Sequence, residues 1–284
     1  MEPFLPPELE REIFETAAVR DRTHIPTLLR VSHRVLGWVE PLLYRTLILN
    51  DYHHDHALLA LRSKTVEFKR QAVRHVILGY YTEQPGAHTF LSGCPGIETL
   101  VVDGCPAEEL LCIMDTLRIK KLNIRFSSRS TPEWTRSTLS RPLFLSITHL
   151  EIYRDHVRAS SDPISWDEEW CPLAALPELT HLCLAYQLAM NILRPTLQNC
   201  LQLQVLIPMF WHAYSARQAA KFALELELST SDFRVVVMMM GIEQFNEDWE
   251  MGVRGRDDFW HRAELFVARK RRGEIEGSVY LLKD

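Results

Sequence analysis

The sequence predicts an α/β chain: a small N-terminal helical module followed by an irregular repeat solenoid whose strands make one curved parallel sheet. Two observations carry that prediction. Apolar residues recur at helical spacing up to Leu49, and beyond it the pattern apolar-x-x-apolar-x-apolar returns at intervals of 22 to 32 residues. A chain of 284 residues, 46% hydrophobic and 24% charged, has the material to bury a core of that size.

The first helix starts at Pro7. Its stretch LPPELEREIF places prolines where a missing N–H costs little, acidic Glu8, Glu10 and Glu12 near the positive end of the helix dipole, and Leu9, Ile13 and Ala17 four apart on one face. Phe14 lies off that stripe. In HIPTLLRVSHRVLGWVEPLLYRTLIL, Leu28, Val31, Val35, Trp38 and Leu42 follow at spacings of three and four, which predicts two more short helices packed on the first.

Beyond Leu49 the period changes. VRHVIL from Val73, IETLVV from Ile97, IKKLNI from Ile119, ITHLEI from Ile147, LTHLCL from Leu179 and, less regularly, LQVLIP from Leu203 have central residues Val76, Leu100, Leu122, Leu150, Leu182 and Leu206. Their separations of 24, 22, 28, 32 and 24 residues approach the period of leucine-rich repeats. Each unit supplies one short strand, and stacking buries a face that a single unit cannot. The intervening side chains point the other way, into the concave face. One row is His75, Thr99, Lys121, His149 and His181, and the next is Ile77, Val101, Asn123, Glu151 and Cys183. By this parity Leu150→Asp disrupts the core, whereas Glu151→Ala leaves stability nearly unchanged. His149, Glu151, Tyr153 and His181 are the candidate target-binding residues.

AEELLCIMDTL at Ala107 reads as a helix on the outer side, and Arg125–Pro142 and Arg154–Trp170 read as polar surface loops. FRVVVMMM from Phe233 reads as a further buried strand. After it, a helix capped by Asp257 carries Phe259, Ala263, Phe266 and Val267 on one face, ends at Gly273, and closes the solenoid. The ARKRR stretch from Ala268 matches a nuclear-import patch, but cations in a last helical turn also complement the helix dipole. The division that follows is 1–50 for the helical module, 51–256 for the repeats and 257–284 for the closing helix and tail.

No nucleophile elbow, phosphate-binding loop, dinucleotide fingerprint or HExxH motif occurs, which argues for a non-catalytic binding protein without cofactor or metal. HHDH from His53 and WDEEW from Trp166 read as solvated polar loops. The six cysteines form no C-x-x-C pair and read as small buried residues, pointing to a reducing compartment. A net charge of -5 does not favour nucleic acid, and no apolar run reaches the ~20 residues of a membrane span. The acidic N-terminus lacks the features of a signal peptide, so the expected location is cytoplasmic, nuclear or both.

Leu5-Pro6-x-Glu8-Leu9 with Ile13-Phe14, then Leu28-x-x-Val31-Ser32-x-Arg34, then Leu43-Tyr44-x-x-Leu47, resembles an F-box. The resemblance covers about the first fifty residues. It implies docking on the Skp-type adaptor of a cullin ubiquitin ligase through Leu5, Pro6, Leu9, Ile13 and Phe14. Joined to a solenoid of about seven irregular units, it implies a subunit that presents an unidentified protein target for ubiquitination. The alternative is a protein-binding scaffold outside any ligase, its F-box having drifted.

Overall fold

A computed structural model describes residues 5–49, 55–79, 84–103, 107–127, 131–154, 165–211 and 216–282. Helices α1 (Pro7–Arg20), α2 (Ile25–Leu28) and α3 (His33–Leu43) open the chain. Strand β1 (Thr46–Leu49), helices α4 (Asp55–Arg62) and α5 (Val66–Ala72), strand β2 (His75–Leu78), helix α6 (Gln84–Gly93) and strand β3 (Thr99–Val102) follow. Next come α7 (Ala107–Met114), β4 (Lys121–Phe126), α8 (Pro132–Leu139), β5 (His149–Arg154) and β6 (His181–Ala185). The chain continues through α9 (Tyr186–Asn199), β7 (Val205–Trp211), α10 (Ala216–Ser229), β8 (Met238–Met240), α11 (Ile242–Val253) and α12 (Phe259–Arg271).

Among the described residues eight strands form one parallel sheet in chain order, each adding to the same growing edge. Its register aligns Val76, Leu100, Leu122, Leu150, Leu182 and Leu206, the row that the repeat spacing predicts. These side chains are buried beneath the crossover segments, together with Ile124, Phe126, Leu143, Trp170 and Leu188. At Gly96 the chain passes so close to α5 that a Cβ would stand 1.9 Å from the Arg70 carbonyl oxygen, which only glycine permits. The sheet begins inside the segment assigned to the helical module, because β1 pairs with β2. Tyr44 packs edge-on against Phe68 at 5.7 Å and Lys64 Nζ donates to Glu40 at 2.6 Å, tying α3 to the sheet's first crossover.

Several expectations are corrected. The segment Arg125–Pro142 contains α8, capped by Thr131, whose Trp134 meets Phe126 edge-on at 5.4 Å. WDEEW is no solvated loop: Trp170 is fully buried, and buried Glu169 accepts a hydrogen bond from Thr135 Oγ1 at 2.9 Å. His53 and His54 of the HHDH stretch lie outside the described residues, while Asp55 opens α4. From Phe233 the regular strand is only Met238–Met240, with Val235 and Val237 making isolated bridges. The cap of α12 is Asp258 rather than Asp257, and Gly273, at φ 72°, follows its end.

The largest difference lies on the second face of the sheet. The sequence reading leaves that face open and puts the last helix at the solenoid's end. Instead α11, which the sequence reading passes over, and α12 both lie across the face. Phe259, Trp260, Ala263, Phe266 and Val267 of α12 bury against Cys183, Val205, Ile207, Met209 and Met238, and Trp249 of α11 buries against Ile77 and Val101. Parallel sheets with apolar residues on both faces need such cover.

Candidate functional site

Two places concentrate the residues that the sequence singles out. The first is α1. Leu5, Leu9 and Ile13 are 45%, 49% and 56% exposed, and with Ala17 and His24 they line a shallow groove along the helix. Pro7 at the first helical position and acidic Glu8 and Glu10 stabilise the helix start, while Arg34 of α3 pairs with Glu10 and holds it from the side. Pro6 precedes the helix and is exposed. Phe14, to which the resemblance also gives a docking role, lies off the stripe of Leu9 and Ile13, as the spacing predicts. It is half-buried and packs into the local core of Ala18, Ile25, Val35 and Val39, because a residue off the outer stripe of α1 faces α2 and α3.

The second place lies between the sheet and the α11–α12 pair. His149, Glu151 and Tyr153 come from β5 and His181 from β6, all on the face that the alternation assigns to them. Their surroundings differ from the expected open concave surface, since the two helices cover them. Glu151 is 4% exposed and His181 5%. Asn123 Nδ2 donates to Glu151 Oε2 at 2.6 Å, the Tyr153 hydroxyl donates to Oε1, and Cys183 Sγ stands 3.9 Å from the same oxygen. Burial pushes the Glu151 carboxyl up to about 7, against the lowering effect of the Tyr153 and Asn123 hydrogen bonds. Burial likewise raises the Tyr153 hydroxyl.

The histidines stack face to face, ring centroids 4.1 Å apart, and Trp260 meets both edge-on at 5.2 and 5.9 Å. Burial, then the neighbouring His181 and Lys121, lowers His149 to about 2, and burial and Lys121 lower His181 to about 4, so both rings are neutral at physiological pH. On the helix side Glu264 of α12 approaches His181 Nε2 to 3.0 Å. The turn joining the two helices is fixed by Asp248, whose carboxylate accepts from Phe259 N at 2.8 Å and pairs with Arg262 at 2.7 Å. Gly252 belongs to the same closure, since a Cβ there would stand 2.1 Å from Asp258 Oδ2.

Sequence reasoning missed Trp249, Asp248, Trp260 and Glu264 in this region. A signal was present. Ile77, Val101 and Cys183 share the row of Glu151, and a row facing water would not place three apolar residues there.

Fold and site together define an α/β protein with an eight-stranded, wholly parallel sheet buried on both faces and a helical module at its N-terminal edge. No family model matches the chain, and neither a curated protein nor a solved structure matches it. No helix among the described residues is long and apolar enough to cross a membrane.

Proposed function

We propose that this chain is a target-recognition subunit that docks through α1 on a Skp-type adaptor and so joins a cullin ubiquitin ligase. The observation that carries the reading is the exposed stripe made by Leu5 just before α1 and Leu9 and Ile13 on it, three large apolar side chains on one side of a helix whose opposite side already packs on a local core. Such a stripe gains free energy when a partner covers it. The F-box-like spacing of residues 5–47 is what suggests the partner class. Catalysis in such an assembly is proximity: holding a target lysine beside a charged conjugating enzyme raises its effective concentration, and the bond chemistry belongs to other subunits. Because α11 and α12 cover His149, Glu151, Tyr153 and His181, a target meets the outer surfaces of those helices rather than the strand row beneath them.

A pull-down with the Skp-type adaptor tests this. Wild type should retain the adaptor, and Leu9→Ser with Ile13→Ser should lose it at unchanged melting temperature, since interface anchors cost about 1–4 kcal/mol each when removed. Phe14→Ala should instead lower the module's stability by about 2 kcal/mol, less than a fully buried phenylalanine costs. A wild type that does not bind, or a double variant that binds equally well, would overturn the reading and leave a scaffold outside the ligase.

A further inference from the structure

Behind each of the stacked histidines a threonine hydroxyl stands against Nδ1. Thr148 Oγ1 lies 3.0 Å from the Lys120 carbonyl oxygen and 2.9 Å from His149 Nδ1; when its single proton goes to the carbonyl, it accepts from the ring, which then carries its proton on Nδ1. One strand over the arrangement repeats: Thr180 Oγ1 lies 3.2 Å from the Thr148 carbonyl oxygen and 2.8 Å from His181 Nδ1. In that tautomer both rings present an unprotonated Nε2. His181 is 5% exposed, and its Nε2 is buried with no hydrogen bond although Glu264 Oε1 stands 3.0 Å away. A nitrogen lone pair held against a carboxylate oxygen is repulsive until a cation lies between them.

We propose that His149, His181 and Glu264 form a binding site for a zinc-class divalent cation that fastens α12 to the sheet. One ligand atom from each residue lies within 4.8 Å of the other two. Zinc bonds of about 2.0–2.2 Å draw such a set together, each ring turning out of the parallel stack toward the ion. The donor set of two imidazoles and one carboxylate suits zinc rather than magnesium or calcium. Thr148 and Thr180 act as the outer partners that hold each ring in its ligating tautomer. His149 and Glu264 also line a recess with Lys121, Arg256, Asp257 and His261, from which a water would complete the tetrahedron. No sequence motif announces the site, because its ligands come from two strands and a helix separated by 32 and 83 positions.

The test uses the full chain, stripped with a chelator, dialysed, and titrated with zinc chloride in a calorimeter and in thermal melts. One equivalent of zinc should bind and raise the melting temperature, and magnesium chloride should do neither. Glu264→Gln, at a side chain 45% exposed and so compatible with folding, should weaken zinc binding at least about tenfold, as should His181→Gln, whereas exposed Glu274→Gln should change nothing. If His181→Gln fails to fold, Glu264→Gln decides alone. A wild type that binds no zinc, or a Glu264→Gln chain that binds it as tightly as wild type, would overturn the proposal.

Discussion

Replacing Glu151 by alanine should destabilise this protein substantially, although an acidic residue on the outward side of a strand would ordinarily tolerate the change. The magnitude follows from its partners. Alanine removes the acceptor of Asn123 Nδ2 and that of the Tyr153 hydroxyl, and a buried donor left without a partner costs about 1–3 kcal/mol. Against these losses stands relief of a carboxyl that burial disfavours in its charged form. The net expectation is a loss of about 2–4 kcal/mol. At ~2–4 °C per kcal/mol, this is a drop of about 5–15 °C in melting temperature. Glu151→Gln, which keeps an acceptor, should cost only about 1 kcal/mol. Leu150→Asp should cost more than any of these, because Leu150 has no exposed surface and its site offers a carboxylate no partner. Thermal melts followed by circular dichroism at one pH would compare the four chains. If Glu151→Ala melted within about 1 °C of wild type, less than the loss of half a kcal/mol would produce, α11 and α12 would not cover this face in solution.

Two further outcomes are expected. Lys270 is buried with Nζ 3.3 Å from the Val235 carbonyl and 4.1 Å from the Tyr280 ring centre, and burial lowers it from 10.5 to about 8 despite the opposing charge of Asp232. The unfolded chain therefore binds more protons between pH 8 and 10.5, and stability rises with pH across that window. Melts of wild type and Lys270→Met from pH 7 to 10 should converge or cross in wild type's favour as pH rises, and a constant difference would contradict the burial. Gly96→Ala should cost about 2–3 kcal/mol or more, because the new methyl must push back the Arg70 carbonyl; chemical denaturation that leaves the midpoint unchanged would show that the α5–β3 approach is looser than described.

Much of the architecture was legible in the chain because it rests on local periodicity. Apolar spacing placed β2 to β7 and their register, and the alternation of a strand assigned Leu150 and Glu151 to opposite faces as observed. Pro7 at the start of α1 and Gly273 past the end of α12 were equally readable, since both are backbone preferences of single residues. Parity, however, says which side a residue faces and not what covers that side. Only the tertiary structure decided that α11 and α12 fold back over the second face, turning an expected binding row into a buried one. Only packing decided that Phe14 closes a core while Ile13 beside it stays exposed. The meeting of His149, His181 and Glu264 belongs to the same class, because residues far apart in sequence share a site only once a strand pairing and a helix crossing bring them there.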